Sequence, residues 1–203
     1  MRQYEVFELA FTAPAPKDSY AQVDFTALFS SEGESVKVKG FYAGDDTYKV
    51  RFLPTKSGHY TWETEGIIKK RGEEECAETL TQKHGLVKPD GVHFKYEDGS
   101  LYQPFGTTVY ALAHQSKELI DTTLHTLEQS PFNKVRFCLF PKHYDFNHNE
   151  PDYYAFEKEG EKWNVHKPVF AFWDAFEEIL KKLDSTRELQ GALEKPTGFA
   201  YYI

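Results

Sequence analysis

Tyr48-Lys49-Val50-Arg51-Phe52 alternates large apolar residues with cations. A period of two puts Tyr48, Val50 and Phe52 on one side of a strand and the charges on the other, so the segment predicts one buried and one wet face. The same period extends outward in both directions. Upstream lie Phe7, Leu9 and Phe11, then Val23, Phe25, Ala27 and Phe29, then Val36-Lys37-Val38. Downstream lies Tyr60-Thr61-Trp62-Glu63-Thr64, whose spacing points Trp62 into the core. Turn formers separate the runs: Ala13-Pro14-Ala15-Pro16, Glu32-Gly33, Gly44-Asp45-Asp46 and residues 54–58. Short strands at this spacing predict an all-β, immunoglobulin-like sandwich over residues 1–83. Within it, residues 66–83 are charged and weakly periodic, and read as a linker or a loop-rich last strand.

A linking segment over 84–104 follows. Phe94 and Tyr96 lead into Asp98-Gly99, and Leu101-Tyr102 returns, which predicts a tight hairpin. The pattern then changes class. Residues 105–113 form a nearly continuous small or apolar run, as in a strand buried on both faces. Ser116 is placed to cap a helix in which Leu119, Ile120, Thr123, Leu124 and Leu127 recur at helical spacing. Residues 135–140 read as a second buried strand, and 142–166 as a long polar and aromatic loop. Pro168 is suited to the first turn of a second helix, lined by Val169, Phe172, Trp173, Phe176, Ile179, Leu180 and Leu183. Strand–helix–strand–helix predicts the first two βα units of a parallel α/β fold over 105–183. Residues 184–203 do not continue the pattern and read as a separate tail.

The chain has 203 residues, with 24 Lys+Arg against 32 Asp+Glu, a formal charge of −8. Its one basic cluster, Lys69-Lys70-Arg71, is followed by Glu73, Glu74 and Glu75, so no nucleic-acid partner is expected. No apolar run is long enough to span a membrane. The start, Met1-Arg2-Gln3-Tyr4-Glu5, lacks the apolar core of a signal peptide. Cys76 and Cys138 are expected to be free thiols rather than a disulfide, and the expected location is cytoplasmic.

Functional groups in parallel α/β arrays gather at the carboxyl ends of strands. That singles out His114 and Gln115 after the first strand, and Lys142, His143, Tyr144, Asp145 and Asn147 after the second. His114 and Gln115 are suited to sugar hydroxyls, or to bonding the backbone at a helix entry. Arg136, inside a buried strand, needs an anion: either a carboxylate in an active site or an ordinary salt-bridge partner. The aromatics Tyr144, Phe146, Tyr153, Tyr154, Phe156 and Trp163 would stack on sugar rings or pin the long loop. Asp145-Phe-Asn147-His-Asn149 imitates the start of a calcium loop, but Glu150 stands where glycine is required. His143 and His148, five apart, do not have a zinc spacing. No metal or cofactor is expected.

Longer words in the sequence carry a resemblance. Gly40-Phe-Tyr-Ala-Gly-Asp-Asp-Thr-Tyr-Lys-Val-Arg-Phe-Leu-Pro54 and Gly58-His-Tyr-Thr-Trp62 resemble the N-terminal β-sandwich domain of a family of bacterial glycoside hydrolases. His84-Gly85 and Phe94-Lys-Tyr-Glu-Asp-Gly99 resemble its joining segment. Phe105-Gly-Thr-Thr-Val-Tyr-Ala-Leu-Ala-His-Gln115 and Ser130-Pro-Phe-Asn-Lys-Val-Arg-Phe-Cys-Leu-Phe-Pro-Lys-His-Tyr144 are similar to the first two strands of its apiosidase-like or cellulase-like (β/α)₈ TIM barrel. The resemblance covers residues 3–183. It implies hydrolysis of O-glycosidic bonds in a plant or microbial polysaccharide by two carboxylates. In such barrels these follow the fourth and seventh strands, which have no counterpart here. Arg136 resembles the second-strand arginine that bonds the nucleophile, and His114, Gln115, Lys142 and Tyr144 match pocket positions.

The break at Asp184 predicts a hydrolase fragment, cut by a frameshift or truncation and inactive alone. Such a fragment would bind oligosaccharide or polysaccharide substrate and self-associate through an exposed sheet edge beside Val109 and Leu139. Two other readings remain. One is a stand-alone carbohydrate-binding or interaction module built on the sandwich. The other is a complete small hydrolase, with Asp145 and Glu150 as acid and base.

Overall fold

In the computed structural model of the chain, residues 1–79, 83–139, 148 and 150–185 are described. Two compact units emerge: Met1–Leu80 with Phe156–Phe170, and Thr81–Ala155 with Ala171–Ile203.

In the first unit the alternating segments become β1 (Phe7–Thr12), β2 (Phe25–Ser31), β3 (Glu34–Tyr42), β4 (Thr47–Phe52) and β5 (Gly58–Gly66). The charged stretch after them supplies a further strand, β6 (Arg71–Cys76). All six join edge to edge in the order β1-β4-β3-β2-β5-β6. Register brings like residues together: Phe7 faces Phe52, Leu9 faces Val50 and Phe11 faces Tyr48 across β1 and β4. Phe25, Phe29, Tyr48, Val50, Phe52 and Tyr60 are at most 5% exposed. Phe29 and Phe52 stack with ring centres 4.2 Å apart and planes at 6°.

This arrangement corrects the expected sandwich. The core is not held between two separate sheets; it is enclosed by one sheet that curls into a half-barrel. Strand β3 explains the curl. Its first part, Glu34 to Lys39, pairs with β2, and its last part, Gly40 to Tyr42, pairs with β4. One strand therefore carries the hydrogen-bond ladder around the core. Gly40 sits at the changeover, where a Cβ would lie 2.2 Å from the Phe25 ring. A side chain there would force apart the corner and the core, which is why a strand interior tolerates glycine at this point. The curl brings the two ends of the sheet together: Gln3 N donates to Ala77 O (2.9 Å) and Ala77 N to Met1 O (3.1 Å). Trp62 is half-buried against this core, edge-on to Phe11 at 6.0 Å.

The first unit also contains an antiparallel hairpin, β12 (Phe156–Glu159) and β13 (Lys162–Pro168). Here the expected loop over 142–166 and the expected placement of Pro168 in a helix are both corrected. Pro168 ends a strand. The turn is made at Gly160, in the left-handed region with φ 63°. Its flanks, Phe-Glu-Lys-Glu and Lys-Trp-Asn-Val, put Glu157, Glu159 and Lys162 on one face and Lys158, Trp163 and Val165 on the other.

The second unit contains a three-stranded sheet of β7 (Val87–Asp90), β8 (His93–Tyr96) and β9 (Leu101–Tyr102). The expected Asp98-Gly99 turn joins β8 to β9. A parallel pair follows, β10 (Gly106–Thr108) and β11 (Lys134–Arg136), connected through α1 (Lys117–Glu128). Ser116 caps α1 as expected, its Oγ accepting from Leu119 N at 3.3 Å. Helix α2 spans Phe170–Ser185. Phe172, Phe176, Ile179 and Leu183 line its buried side, and Phe176 packs on Phe137 at 5.5 Å.

The expectation of two successive TIM-barrel βα units is therefore corrected as well. Each parallel strand keeps only three residues, and Phe105, Gly106, Thr108 and Tyr110 are exposed rather than buried on both faces. Instead of continuing as one long strand, the chain turns after Val109 into the 3-10 turn Leu112–His114. Helix α2 is entered from an antiparallel hairpin, not from a parallel strand. Among the described residues no helix is long and apolar enough to cross a membrane.

Candidate functional site

The residues singled out in the sequence fall around β10 and β11. His114 closes the 3-10 turn after β10 and is 4% exposed. Its backbone N–H donates to Ala111 O at 3.0 Å. Its ring lies nearly parallel to Phe172, with centroids 6.4 Å apart. Gln115 follows in extended conformation, half-buried, immediately before the Ser116 cap. Strand end, turn and cap thus hold His114 and Gln115 in one short rigid stretch.

Arg136 is the last residue of β11. Its carbonyl accepts from Val109 N at 2.8 Å, which ties it to the end of β10. Strand alternation is as expected, with Val135 and Phe137 buried. Arg136 itself is exposed, so the expectation of an arginine inside a buried strand is corrected. The cation lies 5.9 Å from the ring centre of Tyr110, a cation–π contact at a solvated site. Tyr110 was not singled out in the sequence. It lay in a run read as uniformly buried, and its alternation with half-buried Val109 was the available signal. Val109 and Leu139, expected beside an exposed edge, are both half-buried.

Lys142 and Tyr144 lie outside the described residues, as do His143, Asp145, Asn147 and Asn149. Among the described residues no three His, Cys, Asp or Glu side chains come together to hold a metal. Cys76 and Cys138 are free thiols, and burial pushes the Cys76 thiol up.

Two carboxylates of the second unit, Asp98 and Asp121, are held by close neighbours. His84 Nδ1 lies 2.5 Å from Asp98 Oδ2, and Ser100 Oγ donates to Asp98 Oδ1 at 2.6 Å. Burial pushes the Asp98 carboxyl up, but Ser100 and His84 together outweigh it and hold the group below its ordinary value. Lys182 Nζ donates to Asp121 Oδ1 at 2.6 Å and lowers that carboxyl too. Sequence reading missed the His84–Asp98–Ser100 cluster, because only the hairpin brings residue 84 beside its turn. A carboxyl that protonates a leaving group needs the opposite environment, one that raises its pKa.

Three comparisons bear on this geometry. A family model described as "Domain of unknown function (DUF5060)" matches residues 1–66. No curated protein matches the chain. Among solved structures, the crystal structure of a "putative glycoside hydrolase" from Bacteroides vulgatus ATCC 8482 matches with a TM-score of 0.84 and 30% identity, covering 100% of this chain and 40% of that one. The chain is thus similar over its whole length to less than half of that bacterial protein.

Proposed function

We propose that this chain is a glycoside-hydrolase-related segment that contacts a polysaccharide and does not by itself cleave it. The observation that carries the reading is the match, over the whole of this chain, to part of the Bacteroides protein. The site chemistry is compatible with it. Half-buried Gln115 offers an amide for sugar hydroxyls, held in place by buried His114 before it, and exposed Arg136 with Tyr110 offers a cation beside an aromatic face. Glycosidic hydrolysis needs two carboxyl groups flanking the bond, one with a raised pKa. Glu8, Glu65, Asp98, Asp121 and Glu159 all lie below the ordinary carboxylate value. In this reading a partner segment or protein supplies the reacting carboxylates, while β10, β11 and the turn after β10 supply substrate contacts.

The test is a pair of assays on the purified chain. Aryl-glycosides of several sugars are expected to show no turnover. Oligosaccharides are expected to bind saturably, and Arg136→Ala is expected to weaken that binding about tenfold, the loss of one or two good polar contacts. Turnover abolished by Arg136→Ala would sink the non-catalytic part. Binding indifferent to both Arg136→Ala and Gln115→Ala would sink the assignment of this site.

A further inference from the structure

The β12–β13 hairpin carries a feature that the site around Arg136 does not use. Lys158 faces Trp163 across the two strands, so both side chains lie on one face, and Val165 follows two residues along. Trp163 is 47% exposed and Val165 56%. The Trp163 indole thus keeps about half its surface in water beside the Lys158 ammonium. The hairpin is well braced. Asn164 Nδ2 donates to Glu159 Oε1 at 2.8 Å, and Asn164 Oδ1 accepts from His166 N at 3.0 Å. His166 O accepts from Tyr20 N at 2.9 Å, and Ser19 Oγ lies 3.0 Å from His166 Nδ1.

The charges are sorted by face. Glu157 and Glu159 project on the side opposite Trp163 and are paired with Lys167, at 3.8 and 3.3 Å. Lys162 pairs across from Glu159 on that same opposite side. Lys158 has no carboxylate partner among the described residues; its ammonium sits 5.5 Å from the Trp163 ring centre. Glu161, in the turn, is the one acid of the hairpin left outside these pairs. The aromatic face therefore carries one uncompensated cation and no acid, on a chain of net charge −8.

We propose that this face binds an acidic pyranose, a uronate residue within a polysaccharide. The C–H face of the sugar ring would lie against the indole and its carboxylate would pair with Lys158. A braced platform loses little entropy on binding, which suits a weak, repeated contact along a polymer. The inference rests on the glycan reading above but uses different residues in a different unit.

Isothermal titration of the full chain with tetragalacturonate and with cellotetraose tests it. Tetragalacturonate is expected to bind and cellotetraose to bind at least about tenfold more weakly. Trp163→Ala should abolish the acidic binding and Trp163→Phe should keep most of it. Lys158→Gln should bring the two sugars to similar affinity and remove the salt dependence. Circular dichroism of each variant checks that the fold is intact. Equal binding of the two sugars by the unmodified chain, no saturable binding, or binding indifferent to Trp163→Ala would each overturn the proposal. Binding lost in Arg136→Ala but kept in Trp163→Ala would overturn it while supporting the site on β11. The converse result would support the hairpin and overturn the β11 site.

Discussion

Strands β2 and β5 share a register from Phe25↔Gly66 to Ser30↔Thr61, and between them bury Phe25, Ala27, Phe29, Tyr60 and Thr64. Strands β10 and β11 share only Gly106↔Lys134, Thr107↔Val135 and Thr108↔Arg136, and of these six residues only Val135 is buried. The first unit is held by long antiparallel ladders and aromatic rings packed edge-on. In the second the parallel pair is short, and Phe176 of α2 packs on Phe137 just after β11. Parallel pairing is slightly weaker per residue and has to be closed by a long crossover, here α1, so three pairs cannot stand on their own. The difference bears on function, because the weakly laddered unit is the one that carries His114, Gln115 and Arg136.

The most demanding check of this contrast is native-state hydrogen exchange. Amides of β2 and β5 are expected to exchange only by global unfolding, at about 5–15 kcal/mol for a typical domain. Amides of β10 and β11 are expected to open locally at far lower cost. Equal protection in both would break the comparison.

Next in size is a core truncation. Phe29→Ala removes the ring stacked on Phe52 and the edge contact to Phe7 at 6.3 Å. A loss of about 3–5 kcal/mol is expected in urea unfolding. A loss under about 1 kcal/mol would mean that the curled core is loosely packed.

A smaller effect sharpens the description of the second unit. Ser116→Ala removes the acceptor for Leu119 N and should cost about 1 kcal/mol. If β10 and β11 depend on α1, the same variant should speed exchange at Val109 and Cys138, whose amides donate to Arg136 O and Tyr110 O.

The smallest expected effect is a pH dependence. Asp98 is held below its ordinary pKa, so its contribution is present above the unfolded value and is lost as pH falls through the lower folded value. Asp98→Asn should lower stability at neutral pH by less than about 1 kcal/mol, leave stability in acid below both pKa values nearly unchanged, and so flatten the acid limb of the stability curve. A larger loss at pH 7 than at pH 3 beyond that amount would show that the His84–Asp98–Ser100 cluster does more than pin the turn.

Much of the fold was legible where a local rule applied. Alternation at Tyr48-Lys49-Val50-Arg51-Phe52 places β4, Ser116 marks the start of α1, and Asp98-Gly99 marks the β8–β9 turn. The helical stripe from Phe172 to Leu183 places α2 and its buried side. The candidate site was legible only in part. His114 and Gln115 follow β10 as a strand-end reading requires, whereas Arg136 is exposed because its strand is short and half-solvated. The β12–β13 hairpin escaped because β12 carries three charges in four residues and the alternation of Trp163 and Val165 in β13 is too short to stand out from an aromatic loop.

What the sequence alone determined is therefore local: which stretches extend, which coil, and where caps and turns fall, because side-chain period and backbone preference act over a few neighbours. What only the tertiary structure decided is which strands become neighbours. That β3 serves both β2 and β4, that Gly40 admits the Phe25 ring, and that residues 156–168 pair with each other depend on contacts that no local pattern encodes. A period of two says that a strand has an inside; only the packing of distant segments says whether that inside belongs to a sandwich or to a sheet curled around itself.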